Sequence, residues 1–203
     1  MEPRLTKFLS YLLHPLLIPT LAVSALLLYP DLYSIVLPFG LKIWFLAIVF
    51  LFTFFLPSAA VFVLYKTKVI DSIEIDSRRQ RSVPLLVAST SYLALIYSLK
   101  LTGIPVVLLF ALYMATFALL TGLIINLFYK VSLHTLGWGA LTASFIEIAV
   151  RTGSVFLWLI IATIVISGLA GYARLKQNAH TPTQVYLGYV AGAMVVMIIS
   201  FLM

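Results

Sequence analysis

Ala179-His180-Thr181-Pro182-Thr183-Gln184-Val185-Tyr186-Leu187-Gly188-Tyr189-Val190-Ala191-Gly192 opens an apolar run that continues to Met203. From Pro182 onward the run carries no charge, and it has the ~20 residues that cross a bilayer as a helix. Thr181 suits the cap of such a helix and Pro182 its first turn. A polar cluster therefore stands where a buried helix begins. Arg174 precedes His180 by five intervening residues, and Gln184 follows it by three.

Six further runs of the same kind lie upstream. The expected spans are Leu5–Tyr29, Leu41–Tyr65, Pro84–Leu99, Ile104–Tyr129, Thr135–Val150, Ser154–Tyr172 and Pro182–Met203. The third and fifth are short, at about 16 residues each. Pro30-Asp31, Pro38-Phe39-Gly40, Lys100 to Gly103 and Arg151-Thr152-Gly153 read as turns between them. Lipid offers the backbone no hydrogen bonds, so the runs predict helices, and they are too long and too evenly apolar for barrel strands. The expected fold is an all-α integral membrane protein, a bundle of about seven transmembrane helices forming one domain over 1–203. The run from Phe8 to Leu28 is long enough to span and lacks an obvious small-residue cleavage site, so it reads as a span rather than a removed leader.

Composition agrees. Apolar residues make up 63% of the 203 and charged residues 9%, against about a quarter charged in a soluble domain. The absence of cysteine excludes disulfides and thiolate metal sites. The net charge of +7 suggests anionic headgroups or phosphates rather than nucleic acid, because the cations gather in loops.

Span parity sorts those loops. The side holding the N-terminus also receives Lys66 to Val83, Lys130 to His134 and Ala173 to Thr181. It collects Arg4, Lys7, Lys66, Lys68, Arg78, Arg79, Arg81, Lys130, Arg174 and Lys176, ten of the 13 basic residues. His134 and His180 lie there too. The positive-inside rule accounts for this bias by making that side cytoplasmic. An anion site built from three loops accounts for it equally, and the two are compatible.

The residue types in those loops suit phosphoryl transfer, which needs charge stabilisation and positioning. His180 sits at a helix start whose partial positive charge favours phosphate and a neutral imidazole, the form a nucleophile requires. Arg174 offers a planar fork to two phosphate oxygens. In Lys130-Val131-Ser132-Leu133-His134, Ser132 can begin a helix, and His134 can serve as general acid, since the unperturbed pKa of histidine is about 6.5. Arg78, Arg79 and Arg81 precede Pro84.

These residues together resemble the type-2 phosphatidic acid phosphatase superfamily of membrane lipid phosphatases, relatives of the vanadium haloperoxidases. Its three motifs are Lys, six residues, Arg-Pro; Pro-Ser-Gly-His; and Ser-Arg, five residues, His, three residues, Asp. Ala173-Arg174…His180…Gln184-Val185…Gly188…Gly192 follows the third, and Val131-Ser132-Leu133-His134 follows the second. Two spans separate them, as in the family, and the likeness covers about 66–192. The first motif is reduced to Arg81-Ser82-Val83-Pro84, with Arg79 and Arg81 as the carried-over cations. Ala173 replaces Ser, Val131 and Leu133 replace Pro and Gly, and Gln184 replaces the Asp that orients the histidine.

The resemblance implies a metal-independent hydrolase with no cofactor, acting on an anionic lipid phosphate or diphosphate in the bilayer, with no role for nucleic acid. His180 would be the nucleophile and His134 the acid and base. Arg174, Arg79, Arg81, Ser132 and Lys130 would bind phosphate, and Gln184 would orient His180. An amide fixes a tautomer but lends no charge to imidazolium. Three outcomes stay open: a low rate, a substitute carboxylate such as Asp76 or Glu74, or a catalytically silent relative that binds or moves anionic lipids. The implied location is a bacterial inner membrane. The site-facing side is undecided, since the charge bias favours the cytoplasm and many bacterial relatives face the periplasm. The oligomeric state is not implied.

Other polar residues read as structural. His14 has no evident partner. Glu147 is expected to pair with Arg151 one turn later, and Asn126 to bond between helices. Gly188 and Gly192 fit a helix-packing pair. Tyr65, Tyr129, Trp138, Tyr172 and Tyr186 suit an aromatic belt at least as well as a lipid-tail groove.

Overall fold

The computed structural model describes residues 3–28, 37–75, 77–153 and 157–202. Among them every regular element is helical, and seven segments are long and apolar enough to cross a membrane. The first, Arg4–Leu28, is broken into α1 (Pro3–Leu12) and α2 (Ile18–Leu28) by a short 3-10 turn, Pro15–Leu17. The second joins α3 (Phe39–Phe50) and α4 (Leu56–Lys66) through a π-helical turn, Leu51–Phe55. Then come α5 (Ser82–Lys100), α6 (Val106–Phe128), α7 (Leu133–Thr152), α8 (Leu157–Lys176) and α9 (Pro182–Leu202).

The two spans expected to be short are not. The third runs Arg79–Lys100, 22 residues, and the fifth Leu133–Thr152, 20 residues. A 3-10 turn, Arg79–Arg81, leads directly into α5, so the helix starts before Pro84, which sits in its first turn. Thr152 still belongs to α7, which closes on Gly153 at φ 66°, the left-handed stop that glycine adopts without strain. The expected turn at Pro30-Asp31 lies outside the described residues, as do the proposed span ends Tyr29, Ser154 and Met203.

α7 is the most buried of the seven spans and carries the site. α9 lies against it at backbone distance. A Cβ on Gly192 would run into the Leu136 carbonyl, and one on Gly139 into the Tyr189 carbonyl. One on Gly188 would lie 2.6 Å from the Ser132 carbonyl. The spacing Gly188–Gly192 therefore does what small residues do between apolar helices. The close approach lets Ser132 N–H donate to the Gln184 carbonyl at 3.1 Å and Thr135 Oγ1 to the Val185 carbonyl at 2.8 Å. The starts of α7 and α9 are thus tied together. Gly192→Leu is expected to lower stability by about 1–3 kcal/mol, read as earlier thermal unfolding in detergent. Gly168→Leu, at a position where a Cβ meets nothing within 4 Å, should leave unfolding unchanged.

At the other end Glu147 and Arg151 pair at 3.8 Å. Ser200 Oγ donates to Glu147 at 2.6 Å, and Arg151 also donates to the Ser200 carbonyl. Asn126 does bond between helices, donating to Ser82 Oγ at the start of α5 at 3.4 Å, and it also donates to the Arg78 carbonyl at 3.0 Å. Trp138 is no outward belt residue: it is buried and its indole N–H donates to the Leu13 carbonyl at 3.3 Å.

Candidate functional site

Pro15 has no N–H and forces the residue before it out of the helical region. His14 is accordingly extended, at φ −62° and ψ 134°. The break releases carbonyls at the end of α1, and α7 supplies their donors. His134 Nε2 meets the Ser10 carbonyl at 3.1 Å, one turn before Trp138 meets that of Leu13. A carbonyl only accepts, so the His134 proton sits on Nε2.

His180 is fixed by the first turn of α9. Thr181 Oγ1 accepts from Gln184 N–H at 3.4 Å, and Gln184 Oε1 accepts from Thr181 N–H at 3.3 Å. This reciprocal pair is a capping box, and it explains a glutamine at this position without reference to catalysis. The same Oε1 lies 2.9 Å from His180 Nδ1. A backbone N–H can only donate, so the amide atom facing it is oxygen. That oxygen requires Nδ1 of His180 to carry the proton, which leaves Nε2 as the lone-pair nitrogen of the neutral ring.

The ring stays neutral over a wide range. Burial pushes the His180 pKa down to about 3, and Arg81, Arg174 and Lys130 add to that push, while the Gln184 hydrogen bond opposes it. Between the ordinary 6.5 and this value the unfolded chain binds a proton that the folded protein refuses. The contribution to stability is complete above the ordinary pKa and falls as pH drops toward the lowered one. The expected result is a His180 ring whose 15N shifts stay those of neutral imidazole down to about pH 5. A midpoint near the ordinary value would contradict this environment.

His134, His180, Arg174 and Arg81 line one cavity of about 420 Å³. Arg81 is buried, donating through Nε to the Ile75 carbonyl at 2.8 Å and through Nη1 to that of Val131 at 3.3 Å. Arg174 is buried and donates to Gln177 Oε1 at 3.3 Å. Gln177 in turn donates to the Thr6 carbonyl at 2.7 Å and to Ser10 Oγ at 2.8 Å. Ser10 thus fixes both His134, through its carbonyl, and Arg174, through Gln177.

The remaining expected site residues lie elsewhere. Ser132 is fully buried as the cap of α7, accepting from Thr135 N–H at 3.4 Å, and is not in the cavity wall. Lys130 acts on His180 by charge but does not line the cavity. Arg79 is exposed and outside the wall. Arg78 donates to the Leu127 carbonyl at 2.5 Å, a cation at the end of α6. Glu74 lines the cavity and accepts from Tyr11 at 3.4 Å, while Asp76 lies outside the described residues. Among the described residues no group of three or more His, Asp or Glu side chains stands close enough to cage a metal ion.

The structure adds a third imidazole. His14 lines the same cavity, its ring centroid 5.6 Å from that of His134. Its Nδ1 accepts from Leu16 N–H at 3.3 Å, so the neutral ring carries its proton on Nε2. A signal for this was present in the sequence: Thr6, Ser10 and His14 recur every four residues, a polar stripe on one face of an apolar helix.

No family model, curated protein or solved structure matches the chain.

Proposed function

We propose that the chain is an integral membrane phosphatase that hydrolyses a lipid phosphate or diphosphate through a phosphohistidine. Large apolar side chains face outward on several spans, Phe128, Val106 and Phe201 among them at 80% exposure or more; patches of that kind call for a solvent other than water. The observation that carries the chemistry is His180. It is a buried, neutral imidazole with a fixed tautomer, in the wall of a cavity that also holds two guanidiniums. The resemblance to the type-2 phosphatidic acid phosphatases supports the roles of His180, Arg174 and Arg81, and it would give the acid role to His134.

In the first step the His180 Nε2 lone pair forms a bond to phosphorus. The bond from phosphorus to the lipid oxygen breaks, and its electron pair stays on that oxygen. Arg174 and Arg81 hold the phosphoryl oxygens, and Lys130 adds positive potential. The departing oxygen takes a proton. His14 presents an Nε2–H in its neutral form, whereas the Nε2–H of His134 is engaged by Ser10, so His14 serves as donor with His134 beside it. In the second step water attacks phosphorus, its proton restores the Nε2–H that His14 gave up, and the N–P bond breaks with its electron pair returning to His180 Nε2 as phosphate leaves.

Purified protein should release phosphate from a panel of lipid monophosphates and diphosphates, with EDTA present, and vanadate should inhibit it. Activity lost in EDTA and restored by Mg²⁺ would count against a guanidinium site. The neutral Gln184 favours one other reading, a silent binder of anionic lipids. That reading gains if the panel binds and no phosphate appears.

A further inference from the structure

The cavity is longer than a phosphate site needs. His134 lies near its polar end and Ile148 also lines it. They stand fourteen positions apart on α7, about 21 Å of helix. Charged and polar side chains gather at the start, where Lys7, Glu74, Arg81, Arg174 and His180 line it. Beyond them the walls are mainly apolar and mix small with large residues, with Ala22 and Leu26 from α2, Ala88 from α5, Ala111 and Ala115 from α6, and Phe145 from α7. The elements agree on depth. α6 runs opposite to α7, so Ala111 near its beginning and Ile148 near the end of α7 belong to the same remote end.

We infer that this inner portion encloses one hydrocarbon tail, so the substrate class is a single-tailed lipid phosphate. The inference rests on reading the polar end as the phosphate site. Charge complementarity sets the direction: the anionic headgroup sits at Arg174, Arg81 and His180, and the tail runs inward between α2, α5, α6 and α7. The 420 Å³ sets the number of tails. Head and tail share that space: at ~30 Å³ for a methylene, about the share of a water molecule, and about three such volumes for the phosphate, it takes roughly 11 methylenes. That is one chain, and a second tail of equal length has no room inside.

The test uses the full chain purified in detergent and an equimolar mixture of linear alkyl phosphates from butyl to octadecyl, with didecyl phosphate and the matching alcohols added. Ligands retained after washing are quantified by mass spectrometry, and phosphate release is measured separately on the same preparation. Retention of the alkyl phosphates is expected to peak at about 11 carbons, with the dialkyl phosphate retained at least about tenfold less. Ala111→Phe, at the remote end, should move the peak down by about three carbons, Ala115→Phe, one turn nearer the headgroup, should move it further, and both should leave butyl phosphate retention unchanged. Two variants are used so that a folding failure in one does not decide the matter.

A peak unmoved in the variants, or dialkyl phosphate retained as well as the single-tailed ligands, overturns the inference even if phosphate is released. A length-dependent peak without phosphate release supports the enclosed tail and removes the hydrolase. Alcohols retained as well as their phosphates remove the phosphate site and the inference with it.

Discussion

His180→Ala is expected to reduce phosphate release to background and to eliminate the trapped phosphoenzyme. Loss of a nucleophile costs on the order of 10⁶-fold in an enzyme built around one. The fold should survive, because the capping box that starts α9 uses the Thr181 and Gln184 side chains and backbone, not the imidazole. Gln184 then separates orientation from charge. Gln184→Ala removes both the cap partner and the acceptor for Nδ1, so a lower rate and earlier unfolding should appear together, the latter by about 1 kcal/mol. Gln184→Glu keeps the reach that spans Thr181 N–H and His180 Nδ1 and adds a negative charge at a helix start. It should raise the rate by stabilising imidazolium, and raise the His180 pKa. Gln184→Asp carries the same charge on a shorter side chain, and should gain less because the shared hydrogen bonds are stretched. A full rate after His180→Ala would show that the nucleophile is elsewhere. Equal background release from all these proteins would leave a lipid binder.

The second large effect is expected at Arg174. Arg174→Ala removes a buried cation from the cavity wall, and a loss of ~10²–10³ in kcat/KM should follow, the scale of one well-placed donor to a developing anion. Arg174→Lys restores the charge but not the planar fork and should recover only part of it. Gln177→Ala tests the support beneath. It removes the contact that joins Arg174 to α1 through Thr6 and Ser10, and should cost less than Arg174→Ala while leaving His180 15N shifts unchanged. Arg79→Ala is the control, since Arg79 is exposed and outside the cavity wall. Steady-state kinetics on a single lipid phosphate compares the four variants, and equal losses from Arg174→Ala and Arg79→Ala would dissolve the assignment.

Sequence alone determined the helical class and the seven segments, because apolar length is a local property that each run carries without its neighbours. It also determined the start of α9, since Thr181 and Pro182 suit a cap and a first turn, whereas the capping role of Gln184 shows only in the structure. The pairing of Glu147 with Arg151 was legible for the same reason, being one helical turn apart. Span parity placed Arg81, His134, Arg174 and His180 on one side, and they line one cavity. Parity could not separate Arg79 from Arg81. Two residues apart at a helix start, they point in different directions, and only the packing of α5 decides which is buried.

Tertiary structure decided the rest. His14 and Ser10 belong to the cavity because Pro15 breaks the first span and the freed carbonyls find donors 124 and 125 residues away, at His134 and Trp138. No local pattern specifies such partners. Gly188 and Gly192 could be read as packing residues, but not that their close approach to α7 would bind Ser132 to Gln184 and so bring the two helix starts together. The depth of the cavity was equally hidden. It arises where small residues on α2, α5 and α6 face a buried α7, and an enclosed volume depends on all four helices at once.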